Sequence, residues 1–159
     1  MKILIFGLPG SGKSTLAKPL ANLLGGIWLN WDQVRKDYNN TDYSYRGIIR
    51  HIKRMSDISD GILRANKSVI IDMVCPTELE RKDLNADYKI WMDTISEISN
   101  DLLFEKNIMS LKFEKPIEYD YHVSKWFDNT HEQLAQVVKH FMKIKIGETP
   151  DYVRVENVD

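Results

Sequence analysis

Residues 7–14 of the 159-residue chain read Gly7-Leu8-Pro9-Gly10-Ser11-Gly12-Lys13-Ser14, a complete G-x-x-x-x-G-K-[ST] pattern. No other segment limits the fold so tightly, because such a loop cradles phosphate only when a strand delivers it and a helix leaves it. Both flanks meet that demand. The apolar run Ile3-Leu4-Ile5-Phe6 precedes the loop, and Leu16, Ala17, Leu20, Leu23 and Leu24 follow it at helical spacing. At ordinary residue frequencies, a chance match in a chain of this length has a probability of about half a percent.

Each position has a chemical reason. Glycines let consecutive backbone N–H groups turn inward on phosphate oxygens, and the helix N-terminus adds partial positive charge. Lys13 then reaches the outer phosphates, and the Ser14 hydroxyl ligates Mg²⁺. The expected ligands are ATP and Mg²⁺. The expected phosphate-binding residues are Gly7, Pro9, Gly10, Ser11, Gly12, Lys13, Ser14 and Thr15, with Lys13 also acting in catalysis. Pro19 lacks a backbone donor, so a kink or irregularity is expected in the following helix.

Hydrophobic residues make up 43% of the chain and charged residues 28%, without low-complexity tracts or repeats, which suits one globular domain. The formal net charge of −1 supplies no global positive field to recruit nucleic acid or an anionic membrane. No apolar stretch approaches the roughly 20 residues that cross a bilayer, and the first residues read as a strand rather than a signal peptide. A cytoplasmic location is expected. Cys75 is the only cysteine, which excludes an internal disulfide and a cysteine-based zinc site. Its simplest role is that of a small buried residue. His51, His122, His131 and His140 show no paired metal-ligand spacing.

Short runs rich in β-branched and aromatic residues alternate with segments of helical period, the pattern of a parallel sheet with crossover helices. Strands are expected over residues 2–6, 26–29, 68–72, 88–92 and 119–123. A long helix over 45–65 would place Ile48, Ile52, Met55, Ile58 and Ile62 on one face. Thr77-x-x-Glu80 and Thr130-x-x-Gln133 read as capping boxes, the second opening a helix that buries Leu134, Val137, Val138 and Phe141.

In an open parallel sheet, ligands bind beyond the carboxyl ends of the strands. There the sequence offers Asn30-Trp31-Asp32, Asp72-Met73 and Asp93-Thr94. Asp32 is the candidate to orient, or take the proton from, an attacking hydroxyl; the bland alternative is a helix cap. Asp72 ends Val69-Ile70-Ile71 as a carboxylate holding a Mg²⁺ water shell would, which makes Ser14 and Asp72 the candidate metal residues; a solvated strand end is the alternative. Arg46, Arg50, Lys53 and Arg54 share one face of the long helix and either grip an anionic acceptor or form solvated surface. Trp31 and Met73 either flank a planar ring or pack in the core or at its rim.

These residues resemble those of a family. Leu29-Asn30-Trp31-Asp32-Gln33-Val34-Arg35 resembles the L-D-G-D-N-V-R segment of adenylylsulfate (APS) kinases, and His51-Ile52-Lys53-Arg54 resembles their N-I-R-R helix. Asp72-Met73-Val74-Cys75-Pro76 is similar to A-F-I-S-P there, Asp93-Thr94 to V-D-T-P, and Phe113-Glu114-Lys115-Pro116 to Y-E-x-P. The resemblance extends over residues 1 to about 146. It implies an α/β P-loop fold of the nucleoside-monophosphate-kinase type, a five-stranded parallel sheet of order 2-3-1-4-5 with helices on both faces. It further implies transfer of the γ-phosphate of ATP to the ribose 3′-hydroxyl of adenosine 5′-phosphosulfate. By the same resemblance Asp32 faces that hydroxyl and Arg35 contacts the acceptor anion. His51 stands for an acceptor-binding Asn and Met73 for an adenine-stacking Phe. With Arg46, Arg50 and Arg54 they complete the expected acceptor set. The lid, at about 95–112, carries no arginine, which leaves Lys106 and Lys112 as its cations.

The expected organisation is thus a kinase domain over 1–146 followed by a tail over 147–159. Its partners would be ATP and a small hydroxyl-bearing acceptor, without a membrane, and with homodimerisation left open. Asn30-x-Asp32-x-x-Arg35 also resembles the N-x-D-D-x-R segment of 5′-hydroxyl polynucleotide kinases, the one reading that involves nucleic acid, with binding that weakens steeply in salt. An arginine-free lid also fits a nucleotide-binding regulator without turnover. The lack of an N-K-x-D motif argues against a GTPase switch, since Asn66-Lys67-Ser68-Val69 stops short of the aspartate.

Overall fold

The computed structural model describes residues 1–105 and 112–145; Lys106 and the tail over 147–159 lie outside them. Its strands are β1 (Lys2–Gly7), β2 (Ile27–Asn30), β3 (Val69–Asp72), β4 (Tyr88–Met92) and β5 (Tyr121–Val123). Its helices are α1 (Lys13–Leu24), α2 (Trp31–Asp37), α3 (Tyr45–Arg64), α4 (Glu78–Asp83), α5 (Asn100–Glu105) and α6 (Thr130–Lys145).

The strands form one parallel sheet of order β2-β3-β1-β4-β5, as expected. β1 lies at its centre with every residue buried, which explains why its sequence is a continuous apolar run rather than an alternating one. One face of the sheet packs Ile3, Ile5, Ile70, Ile90 and Val123 with Leu16 and Leu20 of α1 and Leu134 and Val138 of α6. The other packs Leu4, Phe6, Val69, Ile71 and Trp91 with Val34 of α2 and Ile52 and Met55 of α3. β2 is an edge strand, and so Ile27 and Trp28 are exposed.

The register fixes where chemistry can occur. Gly7 lies opposite Met92, Ile5 opposite Asp72, and Asn30 opposite Asp72, so the ends of four strands converge on the loop after β1. A Cβ at Gly7 would stand 2.3 Å from the Met92 carbonyl oxygen, so only glycine fits there. Gly12 takes a left-handed φ of 92° to open α1.

Several expectations need correction. Asn30 belongs to β2, while Ser68 lies outside β3, though its carbonyl accepts from the Ile27 N–H. β5 begins only at Tyr121, because the Asp120 side chain takes the Lys89 N–H that a longer ladder would use. The Thr77–Glu80 capping box is present. Thr130 forms no such box: it is already helical, its hydroxyl accepts from the Phe127 N–H, and the Gln133 N–H goes to the Asn129 carbonyl. Val137 is exposed rather than buried. α1 runs unbroken past Pro19 to Leu24.

Candidate functional site

The phosphate loop is built as an anion cradle. Gly12 caps α1 without any side-chain hydrogen bond, which leaves the first N–H groups of a 12-residue helix open to a ligand. The Ser11 hydroxyl is buried without a hydrogen-bond partner. Lys13 folds back with its Nζ 2.9 Å from the Leu8 carbonyl oxygen, spanning the loop it would release to reach a phosphate. Thr94 Oγ1 donates to the Ser11 carbonyl at 2.7 Å and ties the loop to the end of β4. Open N–H groups, an orphan hydroxyl and an ammonium fit a polyphosphate.

Ser14 and Asp72 meet directly: the hydroxyl donates to Asp72 Oδ2 at 2.7 Å. Asp72 is only 2% exposed, so it is no solvated strand end. A hydroxyl and a carboxylate are hard oxygen donors and suit Mg²⁺, whose usual site joins one or two such side chains to phosphates.

On the acceptor side, Asn30 rather than Asp32 caps α2, its Oδ1 accepting from the Gln33 N–H at 2.9 Å. Asp32 therefore sits in the first helical turn, exposed, with the capping role already filled. Arg35 is buried, its guanidinium 4.2 Å above the Tyr43 ring and 5.7 Å from that of Trp31. One terminal nitrogen donates to the Asp42 carbonyl at 2.6 Å, and Nε is buried without a partner. Arg50 pairs with the Asp42 carboxylate, which hydrogen bonding from Ser44 and then the Arg50 charge hold below the usual range. Ser44 caps α3 through the Gly47 N–H. Arg46 is exposed, Lys53 pairs with Asp57, and Arg54 lies 4.4 Å over the Tyr38 ring. The cationic face is thus partly neutralised and partly stacked.

Two residues expected to touch the acceptor are buried. Met73 is 3% exposed and packs in the core with Leu4 and Phe6. His51 is fully buried; its Nε2 lies 3.1 Å from the Trp31 carbonyl and its Nδ1 3.2 Å from an Arg54 guanidinium nitrogen. A carbonyl only accepts, so Nε2 carries the proton and Nδ1 accepts from Arg54, which makes the ring neutral. Burial is the main cause that lowers its pKa, followed among the opposing charges by Arg35 and Arg54; Asp32 and the Trp31 carbonyl pull the other way. A depressed folded pKa means that the unfolded chain binds the proton first. Stability is therefore intact above about pH 6.5, the ordinary histidine value, and falls as pH drops through the folded value. Thermal unfolding measured between pH 7.5 and 5 should show a steeper acid loss for the wild type than for His51→Asn. Equal slopes would contradict this placement.

The family profile for the AAA domain matches residues 3–88, more than half of the chain. The chain belongs to this AAA domain family. No match to a curated protein is found by sequence. Among solved structures, the APS kinase CysC of Mycobacterium tuberculosis in complex with AMPPNP and APS is similar at 18% identity. The match covers 89% of this chain and 96% of that one, with a TM-score of 0.70. APE1195 matches at 22% identity over 87% and 94% of the two chains, TM-score 0.69. Shikimate kinase of Aquifex aeolicus matches at 15% identity over 92% and 98%, TM-score 0.55. The AAA domain of this chain thus has a kinase-like P-loop NTPase fold.

Sequence reading missed the residue that ties the loop after β3 to the segment before β5. Arg81 of α4 is fully buried between the rings of Phe6 and Phe113, at 4.7 and 4.8 Å. It donates to the Cys75, Pro76 and Glu114 carbonyls at 2.8, 2.9 and 2.8 Å and pairs with Glu78 at 2.7 Å. Burial alone would raise the Glu78 pKa, but the Ile117 N–H and Arg81 outweigh it and hold the carboxyl low. Cys75 beside it has a positive φ, and burial pushes its thiol pKa well up, so it is inert. Arg81→Ala takes the charge partner from Glu78 and a buried donor from the Cys75 and Glu114 carbonyls and should cost about 3–5 kcal/mol, read by urea unfolding; a loss below about 1 kcal/mol would contradict the role.

On the lid side, a Cβ at Gly10 would lie 2.8 Å from a Leu102 methyl and 3.7 Å from one of Ile95. The lid segment meets the phosphate loop through apolar side chains there. Lys112 is exposed. Asp93 Oδ2 pairs with His122 at 2.8 Å, and the imidazole stacks on Trp91 with ring centroids 4.3 Å apart. No cluster of metal-ligating side chains and no helix long and apolar enough to cross a membrane occurs among the described residues.

Proposed function

We propose that this protein is an ATP-dependent phosphotransferase that moves the γ-phosphate to a hydroxyl of a small, nucleotide-like acceptor, with adenosine 5′-phosphosulfate the leading candidate. The observation that carries the reading is the pairing of the phosphate loop and its Ser14–Asp72 contact with Asp32 and Arg35 on the helix that follows the neighbouring strand end. Kinases among the structural neighbours support the reaction class, and the complex of one of them with AMPPNP and APS supports the choice of acceptor.

Chemically, the acceptor oxygen bonds to the γ-phosphorus as the bond to the β–γ bridging oxygen breaks, and ADP leaves. Asp32 orients the hydroxyl and takes its proton. Lys13 and the open N–H groups of α1 stabilise charge on the transferring phosphoryl group. Ser14 and Asp72 would hold Mg²⁺, which would supply positive charge to the transferring phosphate. Arg35 supplies the acceptor anion with a stacked, preoriented cation whose Nε has no protein partner. The Arg50–Asp42 and Lys53–Asp57 pairs weaken the case for a polynucleotide backbone, because both neutralise the face that would bind it.

The test is ADP release with ATP and Mg²⁺ across adenosine 5′-phosphosulfate, nucleoside monophosphates, shikimate and a 5′-hydroxyl oligonucleotide. Stimulation by the phosphosulfate is expected. Stimulation by the oligonucleotide alone would overturn the small-acceptor reading, and ATP binding without turnover on any acceptor would favour a regulator.

A further inference from the structure

The carboxylate of Asp72 is held by more than the phosphate loop. Its Oδ2 also accepts from Asn30 Nδ2 at 2.9 Å and from the Trp28 indole Nε1 at 3.3 Å, beside the Ser14 hydroxyl at 2.7 Å. Oδ1 takes no hydrogen bond among the described residues. The strand register explains the convergence: Asn30 is directly opposite Asp72, and Trp28, two residues earlier, shares the same face of β2. Trp28 is an edge-strand residue, 37% exposed, whose indole N–H had water available. It is turned inward onto a carboxylate that is 2% exposed, and a buried carboxylate is tolerated only when it is hydrogen-bonded.

The direction of the Ser14 bond matters. Ser14 has one hydroxyl proton; giving it to Asp72 Oδ2 leaves oxygen lone-pair density for a cation, provided that Oδ2 stays where it is. Asn30 Nδ2 also approaches the Ser14 oxygen at 3.3 Å, so the same amide indexes both groups, while its Oδ1 caps α2 and fixes the amide in turn. The Trp28 indole is the one donor of the group with a rigid ring and no second polar atom to satisfy.

Resting on the reading of Ser14 and Asp72 as the cation-holding pair, we propose that Trp28 is a positioning residue for that site. With Asn30, its indole N–H locks the Asp72 carboxylate so that Ser14 presents its oxygen to Mg²⁺ and Oδ1 remains available to the cation's water shell. Trp28 touches neither substrate nor reacting atoms; it acts through Asp72.

The experiment measures the Mg²⁺ concentration that half-saturates tight ADP binding by calorimetry, alongside ADP affinity in EDTA, for the wild type, Trp28→Phe and Asp72→Asn. Trp28→Phe should raise the Mg²⁺ midpoint about three- to tenfold, the scale of one lost hydrogen bond of ordinary strength, as suits its 3.3 Å length. Its EDTA affinity should stay within about twofold of the wild type, which a merely structural role would not separate. A midpoint unchanged in Trp28→Phe but raised in Asp72→Asn overturns the role of Trp28 alone. A midpoint unchanged in both overturns it together with the reading beneath it. Should Trp28→Phe fail to fold, the ¹H–¹⁵N indole spectrum of the wild type decides, with Trp28 assigned by elimination using Trp31→Phe, Trp91→Phe and Trp126→Phe. The Trp28 N–H signal should shift when Mg²⁺ is added to the ADP complex, and an unmoved signal contradicts the proposal.

Discussion

Lys13→Ala should abolish measurable phosphoryl transfer while leaving the fold intact. Lys13 is 9% exposed at the start of α1, and its Nζ spans the loop to the Leu8 carbonyl. Its reach lets it exchange that carbonyl for a phosphate oxygen once the cradle fills. As charge moves onto the bridging oxygen, the ammonium is worth more than in the ground state, and that difference is what accelerates the reaction. Loss of one such preorganised donor costs about 10²–10³ in turnover. For a full positive charge the loss should reach at least the upper end. The Leu8 carbonyl still accepts from the Ser11 N–H, so far-ultraviolet circular dichroism should match the wild type. A variant that turns over at the wild-type rate would remove the phosphate loop from the mechanism.

Asp32→Asn should lower turnover about a hundredfold with ATP affinity unchanged. The substitution is nearly isosteric, and because Asn30 rather than Asp32 caps α2, it leaves the helix start in place. What it removes is the capacity to take a proton. General-base contributions run to about 10²–10⁴, and phosphoryl transfer through a loose transition state draws on the lower end. Single-turnover kinetics at saturating acceptor separate this from a binding defect. Unaltered turnover would refute the role.

Those two predictions rest on residues of very different legibility. Lys13 could be read directly, because the G-x-x-x-x-G-K-[ST] spacing encodes a backbone shape and that shape is the site. The sheet was legible for a related reason: β1, β3 and β4 are buried on both faces and so appear as unbroken apolar runs. Edges were harder to read. β5 is cut short by the side chain of Asp120, a contact whose sequence separation of 31 residues no local pattern records. The burial of His51 and Met73 was not legible for a complementary reason, since matching positions in a related segment says nothing about which face of the backbone this chain buries. Arg81 was invisible because its meaning lies in carbonyls at Cys75, Pro76 and Glu114, which every residue carries. Trp28 had a faint signal: a large aromatic at an exposed edge position, two residues before an asparagine at the strand end.

The central claim is that a phosphoryl group passes from ATP to an acceptor hydroxyl at the end of this sheet. The most direct measurement follows the label from [γ-³²P]ATP with adenosine 5′-phosphosulfate as acceptor and Lys13→Ala as control. Label on the ribose 3′-oxygen of the acceptor, absent with the variant, is the result the account predicts. Label that stays in ATP or appears only as inorganic phosphate, with the nucleotide still bound, would contradict it.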